Sequence, residues 1–123
     1  MLSVVGISDK DILNTLSLEI FGENFEGGVG YVLYESGRAI GIARLTVAPE
    51  KSVIHCIGIL PLYRNSGYGD FFTRSILNVL SSVSEHITIN YRGDYFLQFG
   101  FINSEQGMTI KSSNIVFPHK CGN

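Results

Sequence analysis

The residues with the clearest chemical potential form one short turn, Arg64-Asn65-Ser66-Gly67-Tyr68-Gly69. The turn lies between an apolar run that predicts a strand and a periodic segment that predicts a helix. The first amides of a helix have no partner within the helix, and the helix dipole favours an anion there. Gly67 and Gly69 let a phosphate approach the backbone and tolerate positive φ, while Arg64 offers a charge-assisted contact. The turn therefore predicts a phosphate-binding site.

Two other kinds of phosphate loop do not fit this turn. A P-loop needs Gly-Lys-Ser/Thr, and the chain contains no Gly-Lys dipeptide. A dinucleotide-binding fingerprint needs a third small residue where Phe72 stands. The remaining alternative is structural, because two glycines also permit a tight connection between a strand and a helix.

The segment before the turn predicts four strands and one helix. Strand-like residue patterns cover Leu2–Ile7, Gly30–Glu35, 38–47 and 52–60, and a tight turn joins the second and third strands into a hairpin. Apolar residues at helical spacing predict a helix after Ser8, which offers a cap with the Asp11 carboxylate three residues on.

The segment after the turn predicts a covering helix and further strands. Phe72, Ile76, Leu80 and Val83 recur at helical spacing and give that helix one apolar face. Strands are predicted at 86–91 and 109–117, and a short helix capped by its first residue at Asp94–Phe99. The chain shows no repeat or linker, so we expect a single domain over residues 1–123.

Composition narrows the class of protein. A chain of 123 residues with 45% hydrophobic residues can close one core, and a net charge of -2 provides no basic stripe for nucleic acid or a membrane surface. Two cysteines are too few for a disulfide framework or a Cys-rich zinc site. No signal peptide or membrane span is recognisable. We therefore expect a cytoplasmic protein without a metal.

Two motifs together resemble those of the GNAT N-acetyltransferases. Their acyl-CoA motif is a strand ending near a proline, then Tyr-Arg-x-x-Gly-x-Gly and a helix, and residues 59–69, Ile-Leu-Pro-Leu-Tyr-Arg-Asn-Ser-Gly-Tyr-Gly, are similar to it. Residues 95–101, Tyr-Phe-Leu-Gln-Phe-Gly-Phe, resemble the family's aromatic-x-x-x-Gly-Phe segment, a short helix leading into a strand. Two motifs in the right order make a chance match much less plausible.

The resemblance covers nearly the whole chain and implies an α/β (α+β) fold. That fold has a mixed, mostly antiparallel central sheet flanked by helices. Family members usually place two helices between the first and second strands, whereas here only one helix and the loop 22–28 are available. The N-terminal helical part is thus shortened, and we expect an acceptor site that is open or completed by another subunit in a homodimer.

The resemblance implies an N-acyltransferase that transfers acetyl from acetyl-CoA to an amine by direct attack in a ternary complex. The acceptor is a small-molecule or peptide amine, and the alternative is a non-catalytic acyl-CoA-binding or regulatory module. In the family, backbone amides of the turn hold pyrophosphate, and backbone groups of the central strand hold pantetheine and polarise the thioester. The implied cofactor-binding residues are Ile57, Gly58, Ile59, Arg64, Asn65, Ser66, Gly67, Tyr68, Gly69, Asp70 and Phe96.

Catalytic groups are less clearly marked. His55 lies on the central strand, where the family has a candidate base, and imidazole titrates near neutrality; the alternative is a hydrogen-bonded structural histidine. The family's tyrosine acid corresponds to Phe96, so the adjacent Tyr95 is the candidate acid or, alternatively, a packing residue. Cys56 could be proposed as a nucleophile, but its neighbour His55 points to the opposite face of the strand, so Cys56 is interpreted as a core residue.

Overall fold

The computed structural model describes residues 1–119, and Cys121 lies outside this range. The described chain contains seven strands, two α-helices and three short 3₁₀ segments. The strands are β1 (Leu2–Ile7), β2 (Gly30–Glu35), β3 (Arg38–Thr46), β4 (Lys51–Ile59), β5 (His86–Ile89), β6 (Ile102–Ser104) and β7 (Gly107–Lys111); the helices are α1 (Lys10–Phe21) and α2 (Tyr68–Val83); the 3₁₀ segments are Pro61–Tyr63, Asp94–Phe99 and Ser112–Asn114.

All seven strands belong to one sheet, in the order β1-β2-β3-β4-β5-β7-β6. The β1/β2, β2/β3, β5/β7 and β6/β7 pairs are antiparallel, and β4/β5 is parallel. This confirms the predicted mixed, mostly antiparallel sheet with flanking helices. A single helix, α1, precedes β2, as the sequence indicated.

One compact unit comprises Met1–Leu45 and Cys56–Ile76. Its core forms where α1 covers the sheet. Gly30 of β2 faces α1, and an added Cβ there would collide with the Leu13 side chain. This missing side chain lets the helix approach closely. The buried core residues of this cluster are Leu13, Leu16, Phe25, Val32 and Ile42.

The other compact unit comprises Thr46–His55 and the chain from Leu77. Parallel pairing aligns Ile54 of β4 with Ile89 of β5, and β7 pairs with the other side of β5. Ser84 is buried here and its hydroxyl is satisfied by Ser52, at 2.6 Å. The buried apolar residues of this unit include Ile54, Ile87, Ile89, Phe96, Phe99, Phe101, Met108 and Ile110.

Helix α1 begins one residue later than the predicted cap implied. The cap is Asp9, whose carboxylate accepts hydrogen bonds from the amides of Asp11 and Ile12 at 3.0 and 3.3 Å. Ser8 is not the cap, because the helix begins one position later and the Asp9 carboxylate accepts from its free amides. The helix ends at Gly22, which adopts the left-handed conformation at φ 79°.

Other predicted elements differ in their type or in their ends. The Asp94–Phe99 segment is a 3₁₀ helix preceded by Gly93, and the side chain of Asp94 does not cap it. The strand predicted at 86–91 ends at Ile89, and the strand predicted at 109–117 ends at Lys111, where a 3₁₀ turn begins. Apolar residues recur after each true end, at Tyr91 and at 115–117, so the residue pattern alone overran both strands.

We predict that Asp9→Ala lowers the free energy of unfolding by about 1 kcal/mol, because two amides at the start of α1 lose their acceptor. Ser8→Ala is the matched control and should change it by less than about 0.5 kcal/mol. Urea denaturation of both variants measures the difference. Equal effects of the two substitutions would contradict the Asp9 cap.

Candidate functional site

The turn between β4 and α2 has a defined backbone. After Ile59 the chain passes through the Pro61–Tyr63 3₁₀ turn, and α2 begins at Tyr68. Asn65 and Gly67 adopt positive φ of 66° and 85°. Gly69 does not, because it already lies in the first turn of α2. Of the two glycines that tolerate positive φ, only Gly67 adopts it, and the second left-handed residue of the turn is Asn65.

The backbone amides at the start of α2 lie before the first hydrogen bond of the helix. The amide of Phe71 donates to the Gly67 carbonyl at 3.0 Å, so the amides of Tyr68, Gly69 and Asp70 precede the first such bond of the helix. Gly67 and Gly69 are exposed. A Cβ built on Gly69 would meet only Ile59, at 3.7 Å, which leaves the space in front of these amides open.

Arg64 ties the turn to the end of β4. Its Nε donates to the Ile59 carbonyl at 2.9 Å. This bond uses one of the five guanidinium N–H groups, so the terminal nitrogens can still face an anion. Arg64 thus holds the turn in place in addition to supplying charge.

The Asp70 carboxylate, which would repel an anion at this helix end, is paired. Nε of Arg74 donates to Oδ2 of Asp70 at 2.8 Å, one helical turn along α2. The pair lowers the local negative charge beside the free amides. Arg74 was not among the predicted site residues, although its i+4 spacing from Asp70 was the available signal.

Two tyrosines flank the turn. The rings of Tyr63 and Tyr68 lie 6.2 Å apart, and Arg38 donates to the Tyr63 hydroxyl at 2.8 Å. Tyr63 and Arg38 carry no signal as a pair in the sequence, because 25 positions separate them. Only the fold brings this contact to the turn.

The end of β4 is shaped by its neighbour α1. A Cβ on Gly58 would come within 2.6 Å of Ile20 and 3.1 Å of Phe21, so Gly58 is required by the close approach of the helix. Ile57 is half-buried and Ile59 is buried. A structural reason for Gly58 therefore exists independently of any ligand.

His55 is bonded at both ring nitrogens. Nδ2 of Asn90 lies 2.8 Å from Nδ1, and Oγ1 of Thr46 lies 2.7 Å from Nε2. An amide nitrogen only donates, so Nδ1 accepts and the proton of the neutral ring resides on Nε2. To accept a proton, Nδ1 must release this bond or Asn90 must rotate to present its oxygen. Neither partner was singled out in the sequence.

Cys56 lies beside Arg44 and is half-buried, so its interpretation as a core residue is only partly right. Burial raises the pKa of the Cys56 thiol, and this outweighs the lowering effect of hydrogen bonds and charge from Arg44. The thiol form is therefore favoured at neutral pH, which argues against a nucleophilic cysteine.

Phe96 and Tyr95 belong to an aromatic cluster. Phe96 is 4% exposed, and its ring makes edge contacts with Tyr91, Tyr95 and Phe101 at centroid distances of 5.8, 5.4 and 5.9 Å. Tyr95 is 38% exposed and also meets Phe99 at 5.4 Å. Phe96 is thus a packing residue within this cluster, whereas the more exposed Tyr95 retains access to solvent.

Comparison of sequences matches no protein-family model and no curated protein. Comparison of structures does find matches. The ribosomal-protein-S18-alanine N-acetyltransferase from Escherichia coli matches at 13% identity over 98% of both chains, with a TM-score of 0.72. A GNAT family acetyltransferase from Brucella melitensis, in complex with acetyl-CoA, matches at 12% identity over 90% of this chain and 88% of that chain, with a TM-score of 0.69.

The chain has the GNAT fold. Naa50 from Arabidopsis thaliana, in complex with the bisubstrate analogue CoA-Ac-MVNAL, also matches, at 17% identity over 85% of each chain with a TM-score of 0.68. At these identities the likeness shows the GNAT fold and leaves the roles of individual residues as predictions.

Within residues 1–119 of this GNAT fold, no cluster of three or more His, Cys, Asp or Glu side chains could hold a metal ion. In the same described range, neither helix has the length and apolar character needed to cross a bilayer.

We predict that Cys56 reacts with iodoacetamide at neutral pH more slowly than free cysteine, because its raised pKa leaves less thiolate. Arg44→Met leaves the Arg44 backbone hydrogen bond but removes the side-chain charge and side-chain hydrogen bond that lower this pKa, so it should shift the pH of half-maximal rate further upward. Arg38→Met is the charge-matched control and should leave the rate unchanged. All variants carry Cys121→Ser, and mass spectrometry follows alkylation. Faster alkylation of the Arg44 variant would refute the assignment.

Proposed function

We propose that this chain is an acyl-CoA-dependent N-acyltransferase that transfers acetyl from acetyl-CoA to an amine. The observation that carries the proposal is the solvent-open start of α2, where the amides of Tyr68, Gly69 and Asp70 precede the first intrahelical bond. Such a helix start attracts phosphate through its dipole and free donors. The GNAT fold and neighbours that bind CoA compounds support the same ligand.

Pyrophosphate is the proposed occupant of this helix start, held by amides in the range 65–70. The left-handed conformations of Asn65 and Gly67 turn the backbone at the entrance to α2. The Arg74 partner neutralises Asp70, and the terminal nitrogens of Arg64 add positive charge. These features favour a dianionic group over a neutral one.

Acyl transfer itself needs a bound thioester, a free amine and a leaving thiolate. Backbone groups of Ile57, Gly58 and Ile59 are the proposed contacts for pantetheine and the thioester carbonyl. Phe96 has no hydroxyl to protonate the leaving group, so the thiolate departs unaided or with Tyr95 as acid. Because a thiol with a pKa of about 8.5 leaves readily as thiolate, acid assistance contributes little to the rate. The proposed acceptor is a small-molecule or peptide amine in the cytoplasm.

We predict that Gly69→Val weakens binding of acetyl-CoA at least about tenfold, because the added side chain covers the free amides. Gly69 has an ordinary φ and space around its Cα, so the substitution should leave the fold intact. Isothermal titration calorimetry with the intact chain measures the affinity.

Gly28→Val is the matched control, since Gly28 also has open space and no positive φ, and it should bind acetyl-CoA normally. Pantetheine, which lacks pyrophosphate, should bind both variants equally. Undiminished acetyl-CoA affinity in Gly69→Val would remove the basis of the proposed phosphate site.

Turnover gives a separate prediction for His55. If His55 accepts the amine proton, His55→Gln lowers kcat about 10²-fold or more and removes the acidic limb of the pH profile. Release of free CoA thiol with a panel of amines measures kcat. Unchanged kcat with lowered thermal stability would show that His55 is a structural residue. If the wild-type chain turned over no amine, the alternative of a non-catalytic acyl-CoA-binding module would be favoured.

A further inference from the structure

A groove runs along α1 and reaches Leu60, the residue after the end of β4. It has a volume of about 340 Å³, which lies at the small end of the range for small-molecule sites. Its walls come from one side of α1 and from the ends of two strands. The lining residues are Asp11, Ile12, Thr15, Leu16, Glu19, Ala39 and Leu60.

The floor of this α1 groove is apolar. Ile12, Leu16, Ala39 and Leu60 all belong to or pack against the buried cluster under α1. Leu16 is 4% exposed, and the other three are half-buried. A methylene chain laid on this floor would remove further apolar surface from water.

The rim of the groove is acidic at two separated points. Asp11 and Glu19 are exposed, and Glu19 lies two helical turns beyond Asp11, so about 12 Å separates the two positions along the helix axis. Among the residues that the structure describes, no Lys, Arg or His lines the groove. Within residues 1–119, neither carboxylate has an ion-pair or side-chain hydrogen-bond partner.

The position of Glu19 is not explained by the fold. It lies in the last turn of α1, where the helix dipole is negative and where no basic residue compensates it. Asp11 lies in the first turn, where a carboxylate stabilises the helix. A carboxylate at the negative end of the helix dipole lowers the stability of the helix. Locally unfavourable residues of this kind are expected at functional positions.

We propose that the α1 groove binds a linear aliphatic diamine or polyamine. The methylene body lies on the apolar floor, one terminal ammonium group meets Asp11 and the other meets Glu19. The hydroxyl of Thr15 lies on the same lining and can accept a hydrogen bond from an inner ammonium group. Charge complementarity selects this occupant, because a neutral chain would leave both carboxylates without counter-charges.

The proposal is tested on the intact chain without acyl-CoA, so it succeeds or fails independently of acyl transfer. The probe is octamethylenediamine, with tetramethylenediamine and octylamine as comparators, each titrated by NMR. Octamethylenediamine should bind at least about threefold tighter than either comparator, because it alone spans both carboxylates. Its affinity should fall as ionic strength rises. Equal affinity for the diamine and for octylamine would overturn the proposal.

Variants locate the binding. Glu19→Gln should weaken the binding of octamethylenediamine by about threefold to fivefold. The binding of octylamine should be less affected, and the thermal stability of the protein should stay equal or rise. Glu26→Gln, an exposed carboxylate outside the groove, is the matched control and should not change the affinity. Thr15→Trp, at an exposed helix position, should prevent the binding of both amines by filling the groove. Unchanged diamine binding in Glu19→Gln or in Thr15→Trp would refute the site.

Discussion

The connection from β4 into α2 is the constraint on which the proposed site depends. The Arg64 side chain bonds the last carbonyl of β4, and the positive φ of Asn65 and Gly67 redirects the backbone into the helix. These local features fix where α2 begins and therefore which amides lack partners. A helix start one residue earlier or later would present a different set of donors, so the proposed anion site depends on this connection.

A second constraint is the close approach of α1 to the sheet. Gly30 and Gly58 provide the space, because side chains there would collide with residues of α1. The helix can therefore bury Leu13 and Leu16 deeply, while the outward edge of the same helix keeps Glu19 at the rim of a groove. Packing and the α1 groove thus arise from the same helix placement.

Local pattern predicted most of the fold. The β2/β3 hairpin was recognisable because Ser36 and Gly37 interrupt alternating strands, and both residues do adopt positive φ. Strand ends near 89 and 111 were overrun, because apolar residues recur after each end, at Tyr91 and at 115–117, without continuing the strand. Asp9 displaced Ser8 as the cap of α1 for an equally local reason, since serine and aspartate are similarly favoured as caps and composition does not rank them.

Short-range residue pattern indicated most of the elements and the turn 64–69 with its glycines, because turn geometry and helix starts depend on neighbouring residues. It could not determine that Thr46 and Asn90 would meet His55, or that Arg38 would meet Tyr63. Those contacts join residues distant in the chain, and strand order and register decide them. Tertiary structure likewise half-buries Cys56 beside Arg44. This burial raises the pKa of the thiol and outweighs the lowering effect of Arg44.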